Sequence, residues 1–192
     1  MSVSVFVRRF VFSLKKGHIF TTKDVLRFGT RKAVDCALNR LVKKGHIIRL
    51  TSGVFLFGDE MTPLPSPMEV AVIKAKAFGK KVTVHGNDAA QQLQLMQTSD
   101  DGDSLNLWID GSSSSFKYGN VKINFQSVCK RKMRLAKKGG PGLSLAALWH
   151  IGKRKVTRAE IQRSLPNNTL ERAKLKTKLE NVPQWLSQFY LK

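Results

Sequence analysis

Between residues 31 and 43 lie the side chains best suited to touch base edges. Arg31, Lys32, Asp35, Cys36, Asn39, Arg40 and Lys43 recur at helical spacings, so they share one side of a helix. Arg and Lys donate to guanine O6 and N7, and Asn pairs with adenine N6 and N7. Asp35 has two readings: an acceptor for cytosine N4, or a partner that orients Arg31 one turn away. Arg31, Lys32, Asp35, Cys36 and Asn39 lie nearest the helix N-terminus and suit the major groove. Arg40 and Lys43 suit phosphates, as do Thr21, Thr22 and Lys23 at the start of an earlier helix. Arg49, Thr51 and Ser52 flank a strand turn, where they would meet backbone or minor groove.

A lysine-rich helix face is by itself only a solvated face, so the elements around it decide. Val34, Ala37, Leu38, Leu41 and Val42 form the opposite, apolar stripe of the same helix. Before it, Val3, Phe6, Val7, Phe10, Val11 and Leu14 predict a first helix that Gly17 stops. Thr21 and Asp24 form a capping box for a short helix over 22–28. Gly29 turns the chain, Thr30 caps the third helix to about Lys44, and strands follow at 46–50 and 54–57. That order predicts a winged helix-turn-helix, which most often binds DNA and sometimes docks protein alone.

Composition agrees with a polyanion partner. The 192 residues carry 34 Lys+Arg against 13 Asp+Glu, a formal charge of +21, with 42% hydrophobic residues. So basic a chain with a core-forming share of apolar residues is not a disordered tail. Residues 1–60 hold 12 basic and 4 acidic side chains (net +8), residues 61–128 are neutral, and residues 129–192 hold 16 and 3 (net +13). Thr62-Pro63-Leu64-Pro65-Ser66-Pro67 marks the boundary. The expected fold is α+β: a winged helix-turn-helix domain over 1–58, a proline-rich linker over 59–67, and a small α/β domain over 68–192 ending in a basic helical bundle.

In that second domain, helices are expected at 68–78, 86–96, 143–151, 157–164, 169–179 and 183–191. A short strand is expected at 82–84. Strands 105–109 and 121–125 should pair through the serine-rich loop 112–115, and Gly139-Gly-Pro-Gly142 reads as flexible. Lys130, Arg131, Lys132, Arg134, Lys137 and Lys138, with Lys153, Arg154, Lys155 and Arg158, make a second basic surface. With Glu160, Glu171 and Glu180 the only acids after residue 128, internal pairing offsets little of it. It is read as a further phosphate-contacting surface, a solvated face, or a partner-docking surface.

Catalytic patterns are missing. Asp100, Asp101 and Asp103 lack the glutamate that completes a calcium loop. The glycine run lacks the Gly-Lys-Ser/Thr of a phosphate loop. His18, His46, His85 and His150 share no spacing, and Cys36 and Cys129 lack a His–Asn arrangement. Trp108, Trp149 and Trp185 read as core anchors. No enzyme, metal or cofactor is expected, and neither a membrane span nor an export signal, since Lys15-Lys16-Gly17-His18 interrupts the apolar stretch behind Arg8-Arg9.

Three stretches resemble the N-terminal domain of AbiEi-type antitoxins: Phe20–Gly29, Ala33–Val42 and Gly45–Phe55. Pro67–Ala71, His85–Leu93, Asp110-Gly111, Gly119–Phe125 and Pro183–Leu186 extend the likeness over most of the chain. The resemblance implies a cytoplasmic bacterial repressor of a type IV toxin–antitoxin (abortive-infection) operon, bound to inverted repeats in double-stranded DNA as a monomer or weak dimer. It also implies that the C-terminal domain counters a nucleotidyltransferase-like toxin. A DNA-binding regulator without a toxin, or an enzyme targeted by the winged helix, are the alternatives.

Overall fold

The computed structural model describes residues 2–86, 89–90, 104–137, 140–164, 173, 175, 177 and 179–191. The fold is α+β and divides into two compact units, Met1–Lys81 with Phe116–Ile123, and Val82–Ser115 with Asn124–Lys192.

The first unit opens with α1 (Val3–Ser13), which buries Val7 and Val11. Gly17, at φ 87°, turns the chain into β1 (Ile19–Thr21). This strand was not expected, because three residues are too few to show alternation. The capping box forms: the Thr21 N–H and hydroxyl both donate to Asp24 Oδ2, at 2.7 and 2.8 Å. It starts α2 (Thr22–Val25), which tightens into a 3-10 turn at Leu26–Phe28. Thr30 then accepts from the Ala33 N–H and caps α3 (Arg31–Lys43). β2 (Ile47–Thr51) and β3 (Val54–Phe57) follow, giving an antiparallel sheet in the order β1-β3-β2.

Alternation gives this sheet two apolar faces. Phe20, Ile47 and Phe55 turn toward α1 and α3, where they meet Val7, Val11, Val34 and Leu38. Phe20 stacks on Phe55 with ring centroids 5.7 Å apart, and Phe10 meets Phe20 edge-on. Leu50, Val54 and Leu56 turn the other way, against Val70 and Ile73 of α4 (Pro67–Ala77) and against Phe116 and Tyr118. Ser66 and Glu69 close a second capping box, and Pro67 occupies the first helical turn, where its missing N–H costs nothing.

The expected linker over 59–67 therefore lies within the first unit. Lys16 pairs with Asp59 at 2.8 Å, and the Asp59 N–H donates to the buried Thr62 hydroxyl. The Tyr118 hydroxyl donates to the Pro65 carbonyl at 2.7 Å. The Thr62 N–H also donates to the Asp59 carbonyl at 2.9 Å, so the segment opens on a turn and is tied down rather than free.

In the second unit, β4 (Val82–Val84) pairs antiparallel with β5 (Ser104–Ile109), Thr83 opposite Trp108. The sheet order is β4-β5-β7-β6, with β6 at Ser114–Tyr118 and β7 at Val121–Ser127. Strands 105–109 and 121–125 are thus neighbours as expected, but Ser114 and Ser115 begin β6 rather than a loop. Residues 116–123, the tip of the β6–β7 hairpin, belong to the first unit.

Among the described residues, helices follow at α5 (Lys130–Lys137), α6 (Gly140–Ile151), α7 (Arg158–Ser164) and α8 (Gln184–Leu191). They bury Met133, Leu145, Leu148 and Leu186 with Trp108. The glycine run is not a flexible joint: Gly140, Pro141 and Gly142 open α6, and the latter two are buried. The predicted helix over 86–96 and acidic loop lie largely outside the described residues, as does most of 169–179. Among the described residues, no helix is long and apolar enough to cross a membrane.

Candidate nucleic-acid interface

The amphipathic division of α3 is complete. Val34, Ala37, Leu38 and Leu41 are buried, whereas Arg31, Lys32, Cys36, Asn39, Arg40 and Lys43 are exposed on the far side. Asp35, half-buried, accepts from Arg31 Nε at 2.8 Å one turn away. Of its two sequence readings, this contact matches the orienting one. It uses Nε alone and leaves the two terminal nitrogens of Arg31 as unbonded donors.

Asn39 is also engaged. Arg49 Nη2 donates to Asn39 Oδ1 at 3.1 Å, and the Arg49 guanidinium lies 5.4 Å from the centre of the Phe55 ring. The Asn39 amide nitrogen remains available, but pairing with adenine through both atoms needs this bond to open or be shared. Arg49 accordingly lies along β2 against α3 rather than reaching past the β2–β3 turn.

That turn carries half-buried Thr51 and exposed Ser52. The Ser52 carbonyl accepts from Lys74 Nζ at 3.0 Å, and the same ammonium sits 4.3 Å from the Phe116 ring centre. Burial lowers the Lys74 pKa. Lys74 escaped the sequence reading because it stands on α4, beyond the expected linker; its chance of detection lay only in a register that brings α4 under the turn.

Thr21 and Thr22 do not fit the phosphate role expected of them. Both are buried, at 5% and 4% exposure; the Thr21 hydroxyl is bonded to Asp24, and the Thr22 hydroxyl has no hydrogen-bond partner. The strand β1 draws them under the β2–β3 turn, where the Thr22 N–H donates to the Gly53 carbonyl. Lys23 alone of the three is exposed.

The second basic surface is divided by α5. Lys130, Arg131 and Arg134 are exposed, as are Lys153, Arg154, Lys155 and Arg158 around the α6–α7 turn. Arg131 donates to the Val182 carbonyl at 3.3 Å. Lys132 turns inward instead: it is half-buried, 4.7 Å from the Trp108 ring centre and 5.6 Å from that of Trp149. Burial lowers its pKa. The Lys137 side chain and Lys138 lie outside the described residues.

One cluster was invisible in the sequence. His85 and His150, distant along the chain, come to 4.8 Å between ring centres, both beside Trp108. His85 Nε2 also meets Gln126 Oε1. Burial first, then His85 and Lys132, push the His150 pKa down to about 4, so its ring is neutral near pH 7. Gly86 makes the approach possible, since a Cβ there would stand 2.3 Å from His150 Cγ.

With this architecture in view, the chain belongs to the protein family DUF6088, a family of unknown function, whose model matches residues 7–177. No curated protein matches the chain.

Proposed function

We propose that the protein is a sequence-specific DNA-binding repressor whose first unit is a winged helix-turn-helix. One observation carries the reading: the exposed side of α3 presents Arg31, Lys32, Asn39, Arg40 and Lys43, with Arg31 held by Asp35 through Nε and its terminal nitrogens left to donate. A helix of this kind, beside a two-stranded turn, suits the major groove. The exposed cations after residue 128 supply sequence-independent affinity through phosphates. The likeness to AbiEi-type antitoxins extends the proposal: a cytoplasmic bacterial repressor, acting on inverted repeats in its own promoter, whose second unit counters a nucleotidyltransferase-like toxin encoded beside it.

Selection from a random duplex pool with the full chain tests the first part. A preferred site should emerge, and Arg31→Ala should weaken its binding by about 1–3 kcal/mol, the worth of a bidentate base contact. Recovery of no preferred sequence, or an unchanged preference in Arg31→Ala, refutes the reading. Co-expression of the full chain with the neighbouring gene tests the second part: growth arrest by that gene product alone, and rescue by this chain, are the expected results.

A further inference from the structure

A pocket of about 350 Å³ opens beside the reading face, bounded by the start of α2, the start of α3, the β2–β3 turn and the last turn of α4. That volume falls at the lower end of the range for small-ligand sites. Lys23, Arg31 and Lys74 line it, and among the described residues no carboxylate does, though Arg31 is paired with Asp35 outside the lining. A pocket with three cations in its wall attracts an anion.

Two details make it more than a surface crevice. Lys74 is held in place by the Ser52 carbonyl, which takes only one of its three N–H donors. Thr22 lines the same pocket, is 4% exposed, and has a hydroxyl without a partner. Gly53 lies over that hydroxyl, where even a Cβ would stand 3.6 Å away.

The remaining wall is apolar. Leu26, Val54 and Ala77 contribute to it, and Phe78 stands at the rim with 73% of its surface exposed. Cations and an exposed aromatic ring lining one pocket match a phosphate joined to a flat ring. We propose that this pocket binds a phosphorylated small molecule of the nucleoside monophosphate class. Lys23, Arg31 and Lys74 hold the phosphate, and Phe78 covers the ring. Because Arg31 and Lys23 also serve the reading face, the ligand and DNA compete; that competition, though not the binding itself, rests on the function proposed above.

Calorimetric titration of the full chain with adenosine 5′-monophosphate (AMP), adenosine and inorganic phosphate tests the site. AMP should bind more tightly than either of its halves. Lys74→Gln should weaken AMP roughly tenfold, the loss of one charge-assisted hydrogen bond. Ala77→Phe, which fills the pocket, should abolish AMP binding, with thermal melting showing that each variant folds. In wild type, AMP should also weaken binding of a labelled duplex, and in Ala77→Phe it should not. Absence of AMP binding at millimolar concentration overturns the proposal, as does adenosine binding as tightly as AMP, or AMP binding indifferent to both substitutions. If Lys74→Gln weakens duplex binding while AMP does not bind at all, the pocket holds a backbone phosphate of DNA and the small-ligand proposal falls. If AMP binds and duplex does not, the pocket stands and the DNA-reading function is the part that fails.

Discussion

Replacing Asp35 by Ala separates orientation from contact at the proposed reading face of α3. The Arg31–Asp35 pair lies on the surface, with side chains 63% and 38% exposed. As an i,i+4 ion pair it contributes only about 0.3–0.5 kcal/mol to the helix, so melting should fall by no more than a few degrees. Under the DNA-binding function proposed above, its larger effect falls on duplex affinity. Held at Nε, Arg31 meets a base edge with most of its rotamers already restricted. Released, it loses that freedom on binding, at about 0.5–1.5 kcal/mol, which is roughly two- to tenfold in affinity for the preferred site. Removing one negative charge acts oppositely, and on every duplex alike. At about 8 Å from a phosphate, in water and salt, the relief is on the order of 0.2–0.5 kcal/mol. The ratio of preferred to scrambled duplex affinity therefore isolates orientation and should fall two- to tenfold, while scrambled binding tightens slightly. Fluorescence anisotropy with both duplexes at several salt concentrations measures it. An unchanged ratio refutes the argument. So does a loss confined to one C·G position with a new base preference, because Asp35 would then be reading cytosine itself.

Other perturbations address the frame. Phe20→Ala removes a ring packed between Phe55 and Phe10 and should destabilise the first unit by about 3–5 kcal/mol in denaturant titrations; a loss under 1 kcal/mol would contradict the packing. Gly86→Ala places a Cβ 2.3 Å from His150 Cγ, 2.4 Å from His150 Cβ and 2.6 Å from Trp108 Cζ2, so about 1–3 kcal/mol of overpacking is expected in denaturant titrations, and an unchanged stability would contradict this packing. His150, neutral when folded down to about pH 4 but protonated below about 6.5 when unfolded, favours the folded state most above pH 6.5. Thermal melts should therefore show stability falling from pH 6.5 toward 4, with a shallower fall in His150→Gln; identical pH profiles would remove the histidine from the account.

The α3 face was legible because helical period, caps and glycine stops all agree between Thr30 and Gly45. Elements whose information is tertiary were not. Three residues of β1 carry no period, yet pairing Phe20 with Phe55 sets the whole sheet and pulls Thr21 and Thr22 inside. Arg49 looked like a turn residue, but the Arg49–Phe55 register lays it against Asn39. Proline content at 59–67 suggested a spacer, and could not reveal that the segment turns at Asp59–Thr62 and is anchored by Tyr118 and Lys16. Charge runs likewise hide burial: Lys132 sits among exposed cations in sequence and between indoles in space.

The hairpin tip at 116–123 has a consequence during synthesis. Phe116 and Tyr118 complete the apolar layer over Leu50, Val54 and Val70, yet they are translated some forty residues after the rest of that unit ends at Lys81. At 5–20 residues per second the ribosome needs about 2–8 s to deliver them. For those seconds the nascent head carries an uncovered apolar strip, and a fragment cut at the prolines would carry it permanently.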